Sequence, residues 1–111
     1  MEKISFEQLE VGLRKYLEKE VIDKRIRSVT NRFLAKTWLT AFDKKTAIDF
    51  LKTKKGLIEG DQVVLSKLKD FLLSEINKNQ GCYQIIKVPI IGTISFFESD
   101  VDVLFKRYLV K

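Results

Sequence analysis

"KVPIIGTISFFESDVDVLFKRYL", Lys87–Leu109, is the stretch that decides the fold class. Its first half, with "CYQIIKV" (82–88) leading into it, is rich in β-branched and aromatic residues and predicts two strands. "PIIG" (89–92) is a four-residue connection between them, or a longer loop if Pro89 and Ile90 are irregular. In the second half the period turns helical, through Val101, Leu104, Phe105, Tyr108 and Leu109. A hairpin is thus followed by a C-terminal helix. The acids between them invite a metal-site reading. Residues two apart on a helix diverge by about 200°, so Asp100 and Asp102 cannot chelate one ion together from within it. Ser99 with Asp102 three residues on is a capping-box pattern, and acids in a first turn suit the helix dipole. The pair reads as a helix start. Gly92, a lone glycine before β-branched residues, reads as a turn glycine and not a phosphate loop.

Upstream the pattern is helical. Ser5 and Gln8 form a capping box, Ile4 and Leu9 a hydrophobic staple around it. Phe6, Leu9, Leu13, Tyr16, Leu17 and Val21 then trace one apolar stripe to about Asp23. Past "KRIRSVTNR", Ser28 or Thr30 caps a second segment with an apolar stripe of Leu34, Trp38, Ala41, Phe42, Ile48 and Leu51. It runs either as one helix to about Thr53 or as two broken near "DKKT". Gly56 is placed as its C′ residue. "LIEGDQ" is a turn at Gly60–Asp61. Leu65, Leu68, Phe71, Leu72 and Ile76 define a third helix, terminated at Gly81. The expected fold is a single domain, 1–111, of the α+β class: mainly helical, with three helical segments, a β-hairpin and a C-terminal helix.

Composition agrees. The chain is 45% hydrophobic, enough for a core, and holds only 5 glycines and 1 proline, against a disordered chain. There is no histidine, so the commonest general base and metal ligand are both missing. Cys82 lacks an evident activating neighbour and reads as a structural thiol. No apolar run reaches the roughly 18 residues of a membrane span, and the polar N-terminus has no leader pattern. The expectation is a cytoplasmic protein without membrane, cofactor or metal, and not an enzyme.

The net charge of +6 is uneven: residues 12–55 carry 13 basic against 5 acidic side chains. Lys24, Arg25, Arg27, Arg32 and Lys36 cluster between the first two helices, with Lys44, Lys45, Lys52, Lys54 and Lys55 extending the charge. A solvated face is the plainer reading, and nucleic-acid binding through phosphates the alternative. The spacing of Phe33, Trp38 and Phe42 assigns them to the core and not to base stacking. The hairpin offers a different surface. Its strands read as apolar on both faces, so either the fold wraps both or one is left for a partner. Ile86, Val88, Ile91, Phe96 and Phe97 are the candidate contacts for a protein partner or for self-association.

One resemblance adds to this. "KKGLIEGDQVVLSKLKDFL" and "IKVPIIGTISFFESDVDVLFKRYL" resemble a group of small, mostly uncharacterised proteins encoded by phages and prophages of Gram-positive bacteria. The shared pattern is Gly56–Ile58, the amphipathic helix Leu65–Ile76, the hairpin Pro89–Phe96 and the tail motif Asp100–Leu104. An acid more usual at the start of that helix is replaced here by Val64. The resemblance covers about half the chain and implies a mobile-element setting in a host cytoplasm, with no activity attached. The expected function is therefore a non-enzymatic protein-interaction or oligomerisation module of phage or mobile-element origin.

Overall fold

The computed structural model describes residues 2–50, 55–79, 81, 83–88 and 92–109, excepting the side chains of residues 50, 55 and 83–88. The described chain is a mainly helical α+β fold. Strand β1 (Lys3–Ser5) leads directly into helix α1 (Phe6–Tyr16). The junction is set by the expected capping box: the Gln8 N–H donates to Ser5 Oγ at 3.1 Å, and Gln8 Oε1 accepts the Ser5 N–H at 2.8 Å. Ile4 and Leu9, on either side of the cap, are both buried. The helix does not stop at Tyr16. It continues through a π-helical stretch, Leu17–Ile22, and a closing α-turn, Asp23–Arg25, before Ile26 becomes extended.

Helix α2 (Val29–Leu39) starts at Ser28, whose Oγ accepts the Asn31 N–H. The second helical segment is broken, not continuous. Thr40–Asp43 interrupts it, and Asp43 restarts it as α3 (Lys44–Phe50), its carboxylate accepting both the N–H and the hydroxyl of Thr46 at 2.8 Å. The buried stripe also differs from the expected one. Ala35, Leu39, Phe42 and Ala47 face inward, with Trp38 and Ile48 packed at their edge, whereas Leu34 and Ala41 are exposed. That is a rotation of about 100°, one residue, at which composition alone is silent.

Gly56 lies in a 3₁₀ turn, Lys55–Leu57, so it is not a left-handed helix stop. The "LIEGDQ" turn does occur at Gly60–Asp61, with Gly60 at φ 62°. It joins strands β2 (Ile58–Glu59) and β3 (Gln62–Val64), which form a small antiparallel sheet in the order β1-β3-β2, unforeseen from sequence. Helix α4 (Leu65–Lys78) follows from Val64, which has no side-chain acceptor to cap it. Its first N–H donates instead to the Glu2 carbonyl at 3.1 Å, so the N-terminal segment caps α4 from a distance. At the other end Gly81, at φ 107°, donates its N–H to Ile76 O at 2.9 Å.

The hairpin is present: β4 (Tyr83–Val88) pairs with β5 (Gly92–Phe96). Gly92 pairs with Val88, so it belongs to the strand and the connection is residues 89–91. The register slips by one residue between Gln84 and Lys87, placing an extra β4 residue opposite β5. Helix α5 (Glu98–Val103) continues as a π-helical stretch, Leu104–Tyr108. It starts earlier than the Ser99–Asp102 cap would have it. Phe97 is the N-cap residue, and Asp100 at the third helical position accepts its N–H at 3.0 Å.

Helix α1 is the centre of this arrangement. Leu9, Gly12, Leu13 and Tyr16 are its buried positions, and Leu17, Val21 and Ile22 extend the burial. The C-terminal helix lies across it at Gly12, where an added Cβ would come within 2.5 Å of Tyr108 O and 2.7 Å of Leu109 Cδ2. Only a residue without a side chain permits that approach. Beside it, Tyr16 meets Phe96 and Tyr108 edge-on, with ring centroids 5.5 and 5.7 Å apart. Gly12→Ala should therefore destabilise the protein by about 1–3 kcal/mol, the usual cost of overpacking, despite alanine's better helix propensity. Urea denaturation checks this. An unchanged or raised midpoint would contradict the packing described.

Candidate functional site

Of the five basic residues singled out in the sequence, three are engaged within the chain. Lys24 pairs with Glu20 one turn away, at 2.8 Å. Lys36 reaches back from α2 to Asp23 at 3.1 Å. Arg32 donates its Nε–H to the Ile26 carbonyl, bracing the connection between α1 and α2. Arg25 and Arg27 are exposed and make no hydrogen bond or ion pair among the described residues. Further along, Lys44 is taken by Glu7, and Arg14 donates to Glu10 and to the Phe42 carbonyl. The basic segment is thus partly self-neutralised, and the free charge nearest α2 sits at its N-terminal end.

The hairpin candidates divide. Phe96 is fully buried against Tyr16, a member of this chain's own core and not a surface group. Phe97 is half-exposed. The side chains of Ile86 and Val88 and all of Ile91 lie outside the described residues. Along β5, Ile94 and Phe96 point into the core, while Thr93 is exposed and Ser95 partly so. The strand is apolar on one face only, because its sequence alternates, and the expected two-sided apolar surface does not hold for it.

The apolar surface lies elsewhere, on α2. Val29 is 78% exposed, Phe33 69% and Leu34 49%. Sequence spacing assigned Phe33 to the core, and the one-residue rotation of the stripe turns it outward instead. Val29 and Phe33 are four apart and lie on one face, with Thr30 and Thr37 beside them and Leu34 at its margin. From Val29 to Leu34 every residue but Arg32 is exposed; burial begins at Ala35. The first turn and a half of α2 therefore stands off the body, held by Arg32 and Lys36. From Lys24 to Ala41 the chain has five basic residues and no acidic one.

The described residues also line surface depressions. One, of about 360 Å³, runs between α1 and the C-terminal helix over Glu7, Gln8, Val11, Gly12, Lys15, Arg107 and Tyr108. Another, about 310 Å³, is bordered by Arg14, Glu18, Lys36, Leu39 and Thr40. Neither brings a nucleophile together with a base. Asp100 is spent on the helix cap, while Asp102 is exposed and 4.0 Å from Lys69. Among the described residues no cluster of metal-ligating side chains occurs, and no helix is long and apolar enough to cross a membrane.

Packing and hydrogen bonding shift several titrating groups. Burial, then the nearby Asp100 charge, pushes the Tyr16 hydroxyl well above its ordinary pKa of 10.0. Tyr108 is raised by burial and then by Glu20, whose carboxylate accepts its O–H at 3.3 Å. Glu20 itself is lowered, chiefly by its hydrogen bond from Lys24.

Compared with protein-family models, with curated proteins and with solved structures, the chain finds no match.

Tyr16 gives a test by pH. A group whose folded pKa is raised contributes stability that is complete below its unfolded pKa and is lost as pH rises toward the folded one. The urea midpoint should fall as pH rises past about 10, and Tyr16→Phe should flatten part of that fall. An identical alkaline profile in the variant would place Tyr16 in water.

Proposed function

We propose that this chain is a non-enzymatic protein-interaction module and that it docks through the outer face of α2. The observation carrying the reading is the exposure of Val29, Phe33 and Leu34 within six residues of one helix. Single exposed hydrophobes are ordinary on soluble proteins, but a grouped set on a projecting element characterises interaction surfaces. A helix presenting apolar residues four apart on one face, with a third at its margin, suits a groove on a partner. The setting we infer, from the sequence resemblance, is a phage or prophage of a Gram-positive host.

The nucleic-acid reading has less support. Phosphate binding draws its affinity from released counterions, one for each neutralising cation. With Lys24 and Lys36 already paired and Arg32 tied to a carbonyl, only Arg25 and Arg27 of the proposed five are uncommitted. Docking through the hairpin rests on Phe97 alone among its described side chains.

A photoreactive residue placed at position 33 in the native host tests the proposal. A discrete polypeptide adduct is expected, absent when the same residue stands at exposed Lys45. Absence of an adduct at 33, or one that nuclease removes, would overturn the reading.

A further inference from the structure

We propose that the occupant of the α2 face is an acidic polypeptide segment, with apolar side chains over Val29 and Phe33 and carboxylates reaching Arg25 and Arg27. This rests on the docking reading above and names the partner's chemistry. Three observations select it. The 18 residues from Lys24 to Ala41 contain no acid, and although Lys24 and Lys36 are answered by Glu20 and Asp23, the three arginines, Arg25, Arg27 and Arg32, leave a net positive charge around the start of α2. The centre of the face, Val29, Thr30, Phe33 and Thr37, carries no charge, whereas Arg25 and Arg27, exposed and without an ion pair among the described residues, precede it by two to four positions of sequence. An uncharged centre with a charged rim is the anatomy of a protein interface, and arginine forks suit carboxylates in two-point contact.

The same observations disfavour a second copy as occupant. Two such faces would bring their arginine rims together, and the net charge of +6 on each chain adds to the repulsion. They also disfavour a nucleic acid, because the face offers bases a single aromatic plane, Phe33, to stack on.

The probe is a displayed library of random peptides about 16 residues long, enough to hold a helix when bound. It is selected on the intact protein at low salt and counter-selected on Phe33→Asp. The variants Phe33→Asp, Phe33→Ser and Arg25→Glu/Arg27→Glu alter exposed side chains, and unchanged circular dichroism and urea midpoints verify that each folds. Recovered peptides should be rich in Asp and Glu beside bulky apolar residues. Their affinity should drop about tenfold or more in Arg25→Glu/Arg27→Glu, and several-fold between about 20 and 500 mM salt. Peptides that depend on Phe33 but are neutral or basic, or indifferent to salt and to the arginines, would overturn the acidic partner and leave the docking face standing. Failure to recover any peptide that depends on Phe33 would overturn both. Concentration-dependent dimerisation abolished by Phe33→Asp, or tight binding of a labelled oligothymidylate lost in the same variant, would assign the face to one of the other occupants.

Discussion

The rest of the structure depends on a missing side chain at Gly12. Glycine in a helix interior costs about 1 kcal/mol relative to alanine, so its place in the middle of α1 calls for a compensating contact. That contact is the Tyr108 carbonyl and the Leu109 side chain, which occupy the space a Cβ would need. Once the C-terminal helix lies there, Tyr16 is enclosed between Phe96 and Tyr108, and β5 is drawn in through Phe96. On its other sides α1 continues from β1, is joined to α3 by Lys44–Glu7 and to the link before α3 by Arg14, and its continuation reaches α2 through Asp23–Lys36. The N-terminal strand, α3, the C-terminal helix and β5 are thus placed by their relation to one helix.

What that arrangement leaves over is informative. A chain with 21 basic residues would be expected to display them, and the fold instead pairs several with its own carboxylates. Such exposed pairs contribute little stability, being screened by solvent. Their effect on the surface is larger, because each pair removes a cation from the set that could meet phosphates. Hydrophobic residues follow the opposite course: α1 and α4 bury their stripes, but α2 buries only Ala35 and Leu39. A helix so weakly anchored has packing capacity to spare, and the spare capacity faces water at Val29, Phe33 and Leu34.

Legibility tracked how local the determining interaction was. The Ser5 capping box, the Gly60–Asp61 turn and the Gly81 stop each depend on residues within a few positions and are readable, and the cap of α2 is narrowed to Ser28 or Thr30, of which Ser28 is the one used. The β1-β3-β2 sheet is not readable: its strands are two or three residues long, and β1 meets β3 across some sixty positions of sequence. The start of α5 differs from the sequence expectation because Ser99–Asp102 and Phe97–Asp100 offer overlapping patterns, and local sequence does not rank them. On α2 the stripes through Leu34 and Ala35 differ by one residue; the choice follows from tertiary packing around Leu39 and Phe42. That ambiguity is why sequence spacing assigns Phe33, the centre of the proposed docking face, to the core; the assignment of Phe96, a core residue, to a surface has a separate cause. In the alternating "GTISFF" only pairing partners decide which phenylalanine faces in.

The central claim is that the start of α2 stands clear of its own protein, with an apolar face open to water. Thiol labelling of Phe33→Cys, in a Cys82→Ala background and at concentrations too low for association, measures this directly. The account predicts labelling as fast as for the same thiol in urea-unfolded chain. Labelling slowed to the rate of global unfolding would show that this chain covers the face itself, and would contradict the account.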